Sequence, residues 1–547
     1  MMKRFCLVAL ALCATLGAQQ SSSAAPPVGA QFQIAGTVVD AVSGAPLSHV
    51  TVAIAPVAKR DDMRTVVTAA DGQFLFEKLA KGKYTLSAQR HGYISQAFNQ
   101  HDQFSSSIAV GPDLDSASLV FKLRPESSIL GKIIDNYGEP VASAQVRLFQ
   151  ISVPNGRRGD GMQRRLVTND EGFYRFSHLP PGDYYLAVST RPWYVEGNHI
   201  RTNIESKVLQ PVQEDDAALD MAYPVTFFPG VTEFNSARAI PLGASDSFTA
   251  DIILQPVRAA HVHINTGDLD PSRGLTATIT QTVAGDMAMD ISPIISISAK
   301  NEIELTGFAP GNYKLGLSIT NPGEPGQKAV SRFSRLLDAS ANAEVSVEQS
   351  VSAVPVTGSV KLEGGSLPAS GALQLREKRT GEGVYARISP QGEFEFSLGV
   401  LPGTYDLAVT NLPDLFVRRI AAVEAKVTGQ TVSIGSGPVK LTITLTQGTG
   451  KVDGVALRDG KPVSGAMIVL VPQDPSSNLS LFRRDQSDSD GSFTLAAVLP
   501  GKYTALALEN GWAMEWSNPE VLKPFLPGGE AIQIEAKGKY DLKLKVQ

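Results

Sequence analysis

Seven histidines are the first side chains to weigh for chemistry: His49, His91, His101, His178, His199, His261 and His263. A catalytic zinc ion is held by three protein ligands, commonly a closely spaced pair and a distant third. The residues three places after each histidine are Val52, Ile94, Phe104, Pro181, Thr202, Ile264 and Thr266, so no His-x-x-Glu pair exists. His261 and His263 alternate along one strand and share a face, but no third ligand accompanies them, and they read as surface or edge histidines. Neither a Gly-x-Ser-x-Gly elbow nor a phosphate-cradling glycine loop occurs. His178, His199, Asp215 and Asp216 lie in one long middle segment without a recognisable spacing, leaving a hydrolase as the weakest alternative. The expectation is therefore no catalytic residue, no metal ligand and no cofactor.

Three other groupings have a sharp and a plain reading. Asp485, Asp488 and Asp490 offer clustered oxygens of the kind calcium takes, yet Asp490-Gly491 is also what a tight hairpin turn requires, and the turn is the favoured reading. Arg157, Arg158, Arg164 and Arg165 crowd a glycine-rich loop that reads as solvated surface, or as a contact for an acidic glycan or protein. Aromatic residues recur nine places after a tyrosine, as Tyr93 after Tyr84, Trp193 after Tyr184 and Trp512 after Tyr503. Sugars stack on open aromatic faces, which makes Tyr93, Trp193 with Tyr194, and Trp512 with Trp516 the candidate ligand-binding residues; the plain reading is rings that plug the end of a core.

The elements that carry these residues come from a repeat. Asp71-Gly72-Gln73-Phe74-Leu75-Phe76, followed by Leu79 and Gly82-Lys83-Tyr84-Thr85-Leu86, returns at Glu171-Gly172, Asn301-Glu302, Gln391-Gly392 and Asp490-Gly491. Twelve residues separate the glycine from the tyrosine in the first, second and fifth copies and 13 in the fourth. Each copy predicts a turn, a strand with alternate large apolar residues, a Pro-Gly or Gly turn, and a second strand starting near the tyrosine. A tyrosine so placed fits a corner, its ring buried and its hydroxyl bonded to nearby backbone. Upstream, Gly36-Thr37-Val38-Val39-Asp40 leading to Gly44-Ala45-Pro46-Leu47 recurs from Gly131 and Gly454, and in degraded form around Gly358 and His263.

These phrases repeat at about 95-residue intervals, the size of a domain. They predict an all-β chain of tandem immunoglobulin-like, antiparallel β-sandwiches at 26–124, 125–257 (with insertions), 258–350 (degenerate), 351–447 and 448–547. Short linkers predict semi-independent units. Gly-x-Val-x-Asp, Gly-x-Pro-Leu/Val, Asp-Gly-x-Phe-x-Phe and Leu-x-Pro-Gly-x-Tyr together resemble the carboxypeptidase regulatory-like domain of multi-copy secreted bacterial proteins. That resemblance implies a transthyretin-like sandwich, grouped with carbohydrate-binding-like folds, acting as a noncatalytic module.

Composition agrees with a folded, turn-rich chain: 547 residues, 43% apolar, 19% charged, 49 Gly and 34 Pro. A net charge of −5 excludes a global basic field for nucleic acid. Lys3 and Arg4, the apolar run 5–16 and the small residues Gly17 and Ala18 predict a signal peptide cut after Ala18 or Ala25. Both cysteines, Cys6 and Cys13, fall inside it, so no disulfide is expected. No transmembrane segment is expected, since no run reaches about 20 apolar residues. The sequence thus predicts a secreted or periplasmic binding or scaffold protein of the cell envelope, with a glycan or an envelope protein as partner. A structural spacer is the alternative, and oligomeric state stays open.

Overall fold

The computed structural model describes residues 31–547 apart from 153–158, 196–219, 268–274, 285–286, 298–301, 321–328, 341–342, 347–350, 369–370, 379–382, 413–414 and 476–480. The expected signal peptide lies outside the described residues. Among them, no helix is long and apolar enough to cross a membrane.

The chain is all-β, and its strands form tandem antiparallel sandwiches. In the first, strand Phe32–Asp40 lies between Gln73–Leu79, its antiparallel partner, and Leu119–Leu123, which runs parallel to it. The facing sheet orders Arg64–Val67, Thr51–Pro56 and Gly82–Gln89, extended by the short strands Gln96–Ala97 and Ile108–Val110. The last sandwich repeats the plan: Gly450–Arg458 sits between Ser492–Val498 and Lys539–Lys545, facing a sheet of Arg483–Gln486, Met467–Pro472, Gly501–Leu508 and Glu530–Ile534. Alternation places Phe74 and Phe76 inside while Leu75 between them faces water. Buried apolar side chains collect in main clusters within 34–123, 129–254, 260–345, 354–445 and 452–546.

The repeated glycine of the first strand has a steric cause. A Cβ on Gly36 would stand 2.2 Å from the Leu119 carbonyl oxygen, and one on Gly131, Gly358 or Gly454 would stand 2.3, 2.0 or 2.4 Å from the corresponding oxygen of Ala250, Leu441 or Leu542. Each glycine also faces the first buried aromatic of the hairpin strand: Gly36 opposite Phe74, Gly131 opposite Tyr174, Gly358 opposite Phe394 and Gly454 opposite Phe493. The third unit pairs Ile264 with Ile303 instead, both fully buried. Ring and glycine have been exchanged there for two medium-sized side chains, which is why the phrase looks degraded around His263.

A second shared feature escaped the sequence reading. The first strand and its hairpin partner slip register between Phe76 and Leu79, and again between Phe176 and Leu179. The bulge residue is left-handed at Lys78, His178 and Ala497 (φ 59°, 55° and 53°) and is glycine at Gly307 (φ 78°).

The units are less independent than short linkers suggest. Met289 of the third packs with Phe149, Ala187, Val225 and Phe227 of the second. The first unit docks against the fifth through the hydrogen bonds and stacked rings described below. The expected semi-independence is corrected for both pairs, because outward-facing strand residues such as Met289 and Phe149, and Lys83 and Gln486, pair across units in ways the periodic pattern does not encode.

Two changes in the fifth unit should act with opposite sign. Gly454→Ala overpacks the strand against Leu542 and Phe493 and should destabilise by about 1–3 kcal/mol. Ala497→Gly relieves a left-handed L-residue and should be neutral or stabilising by up to about 1 kcal/mol. Chemical denaturation of each variant reads both.

Candidate functional site

The five corner tyrosines behave as their position demands. Tyr84, Tyr184, Tyr313, Tyr405 and Tyr503 each donate to the carbonyl four residues earlier, on Ala80, Pro180, Ala309, Leu401 and Leu499, at 2.6–3.0 Å. Burial pushes the Tyr184 and Tyr313 hydroxyls up to about 12, so they remain donors throughout the ordinary pH range. They are structural, and in the first, second and fifth units each holds the strand whose far end launches the aromatic loop.

Those loops diverge. Tyr93 is half-buried against the first core, donates to Asp40 Oδ2 at 2.8 Å and lies 5.0 Å beneath the Arg90 guanidinium. Burial works to raise the Asp40 carboxyl, but hydrogen bonds from Ser43, Tyr93 and Val42 outweigh it and hold the carboxyl below its usual range. Trp193 is 73% exposed, with the half-buried Tyr194 edge-on at 5.8 Å. Asp135 occupies the repeat position of Asp40, and its Oδ1 accepts from the backbone N–H groups of Tyr137 and Glu139. Burial raises the Tyr194 and Tyr223 hydroxyls, the latter to about 12, and Asp135 and Tyr137 add to both. Trp193 and Tyr194 therefore stand together, with the exposed Tyr137 close enough to Tyr194 to act on its hydroxyl. Sequence reasoning missed Tyr137, which sits in a turn distant along the chain with no spacing to tie it to Tyr194.

Trp512 and Trp516 are covered by the chain itself. Trp512 lies in the short turn Gly511–Ala513, donates from Nε1 to the Gly465 carbonyl at 3.2 Å, and stacks on His101 of the first unit (4.9 Å, 6°) with Phe104 beside it. Trp516 is 7% exposed, packed on Phe482 and capped by the Arg484 guanidinium at 4.1 Å. Trp512 thus belongs to a junction between the first and fifth units.

Of the aspartates weighed above as a calcium loop, Asp488 belongs to that junction, while Asp485 and Asp490 serve their own unit. Asp488 receives Lys83 Nζ at 2.6 Å on one oxygen and the Ser107 N–H at 2.7 Å on the other. Asp485 accepts from the Thr494 N–H, and Asp490 from the Ser492 N–H. Gln486 donates to the Asn99 carbonyl and Ser106 Oγ, Ser106 donates to the Ser487 carbonyl, and Ser489 Oγ accepts from the Ala109 N–H. Among the described residues no group of three or more His, Cys, Asp and Glu side chains is placed to hold a metal ion.

The remaining candidates separate. His261 lies between two carboxylates, Glu304 Oε1 at Nδ1 and Asp220 Oδ1 at Nε2, both at 2.8 Å, with His263 4.0 Å from the same Glu304 oxygen. Hydrogen bonding to Glu304 outweighs burial and, with Asp220, raises the imidazole from 6.5 to about 9. His261 is a charged clamp between the second and third units. His178 is the bulge residue and pairs with Glu126. His199, Asp215, Asp216, Arg157 and Arg158 lie outside the described residues. Arg164 spans the carbonyls of Ser177 and His178.

Residues 33–117 and 128–199 match the model of the carboxypeptidase regulatory-like domain, so the first two units are similar to that domain. No curated protein matches the chain. Among solved structures, the GBS52 minor pilin of Streptococcus agalactiae is similar at 15% identity, covering 41% of this chain and 96% of its own, with TM-score 0.20. The TIE protein of Bacillus anthracis is 10% identical over 97% of this chain and 75% of its own (TM-score 0.17). The BcpA major pilin of Bacillus cereus is 8% identical over 76% and 100% (TM-score 0.14). Likeness of that size carries no argument about function.

Two measurements test these junctions. Asp488→Ala, losing two partners, should weaken docking of the first unit by about 1–3 kcal/mol, and Lys83→Met by less; red-shifted Trp512 emission, read in a Trp193→Phe background, reports the undocking. His261 holds its proton more tightly when folded, so its contribution is complete below pH 6.5 and lost as pH rises through about 9. Unfolding followed across that window should show stability falling, and His261→Gln should flatten the slope.

Proposed function

We propose that this chain is a noncatalytic, exported binding or scaffold protein of the cell envelope, built of five sandwiches with the boundaries expected from the repeat, and that it engages a glycan through the Trp193 end of the second unit. The observation that carries the reading is the contrast among equivalent rings. Tyr93 is tied to Asp40 and Trp512 is stacked on His101, whereas Trp193 is largely open to water beside Tyr194. An exposed ring of that size on a well-packed loop is the arrangement on which a sugar face stacks. Pro192 and Val195, buried on either side, hold the loop in place. Export rests on the N-terminal run of Lys3, Arg4 and the apolar residues after them.

A glycan array with the purified protein should give hits that Trp193→Ala reduces by at least roughly tenfold, the size of one lost stacking contact, while the melting temperature is unchanged. A blank array from folded protein would favour the spacer reading instead, and turnover of a peptide or glycoside substrate would overturn the noncatalytic assignment.

A further inference from the structure

The seam between the second and third sandwiches holds two adjoining hollows. The larger, about 140 Å³, is lined by hydroxyls of Ser143, Ser189, Thr190 and Ser292 together with Arg191 and Asp290. The smaller, about 90 Å³, is walled by Arg147, Arg164 and Arg165 against Ala288 and Met289. Gln145, in the first hollow, and Arg147, in the second, are alternate residues of strand Gln145–Ser152. Across the seam, Asp290 lines the first hollow and Met289, next to it on Met287–Ile291, lines the second, so the two lie side by side along the seam, together a composite cleft. Met289, inserted among Phe149, Ala187, Val225 and Phe227, closes its floor with apolar packing, so the cleft is preformed.

The charge inside it is unbalanced. Four arginines face one aspartate among the lining residues. Arg164 is occupied by the carbonyls of Ser177 and His178. Arg147 donates one Nη2 bond to the Asp290 carbonyl at 3.3 Å, and its Nε is shielded from solvent with no acceptor among the described residues. The side chains of Arg165 and Arg191 take part in no ion pair or hydrogen bond among the described residues. A guanidinium fork is shaped for a planar carboxylate, and serine and threonine hydroxyls are shaped for ring hydroxyls. Arg191 stands two residues before Trp193, so their Cα atoms are no more than about 7 Å apart.

We propose that this cleft binds an acidic glycan, a uronate-bearing oligosaccharide whose carboxylates meet Arg191 and Arg165 while a neighbouring ring stacks on Trp193. The inference rests on the glycan reading above and adds its charge class and its second subsite. A neutral glycan would use Trp193 alone and leave both guanidinium groups without an acceptor.

Isothermal titration of the full chain with an oligogalacturonate, with the methyl ester of the same oligomer and with a neutral β-glucan oligomer tests it. The acid should bind at least roughly tenfold more tightly than its ester, with affinity falling as salt rises. Arg191→Ala and Arg165→Ala should each weaken the acid by about tenfold while leaving any neutral binding unchanged, and Arg191→Lys should restore part of the loss. Trp193→Ala should weaken acid and ester alike. Equal binding of acid and ester, or acid binding untouched by both arginine variants, overturns the cleft and leaves the Trp193 reading standing. No binding by any of the three oligomers overturns both.

Discussion

Every sandwich depends on how closely its first strand is approached from both edges. The strand runs antiparallel to the aromatic hairpin strand and parallel to the last strand of the unit. At the crossing point a carbonyl oxygen and an aromatic ring occupy the space a side chain would fill. Glycine there lets the ring lie across the strand and the last strand close the sheet. The third unit reaches the same end with Ile264 against Ile303, which shows that the constraint is on total volume and not on glycine itself. The corner tyrosine completes the frame, burying its ring while its hydroxyl satisfies a carbonyl four residues back.

With the frame held by so few contacts, the loop after the corner strand is free to differ. Its aromatic is tied down in the first unit, open to water in the second and sandwiched at a junction in the fifth. The three outcomes follow from what lies opposite: a carboxylate in reach of a tyrosine hydroxyl, solvent, or another unit's histidine. Function in such a chain resides in loops carried on a repeated scaffold.

The junctions differ in physical character. The first and fifth units meet through a mainly polar, hydrogen-bonded surface ordered around Asp488 and Ser106, with Trp512 at its edge. The second and third share an apolar plug at Met289, a charged clamp at His261 and a cleft whose arginines outnumber its acids. Strand Met467–Pro472 shows the same layering within one unit: all six residues are buried, because a segment containing Trp516 and Leu522 covers the face turned away from the core.

The sequence by itself determined what is periodic. Alternating apolar residues, Asp-Gly, Glu-Gly and Gln-Gly turns and a tyrosine about 12 residues beyond them specify hairpins and an all-β class, because strand side chains have period two and tight turns admit few residues. It also marked the aromatic positions, while leaving open whether each ring plugs or protrudes. Only the tertiary structure decided that. Tyr137 comes near Tyr194, His101 stacks on Trp512, and Asp220 and Glu304 converge on His261, all across separations of 40 to about 400 residues. No local pattern encodes such pairs, because they form where folded surfaces meet, and a surface exists only once each core has closed.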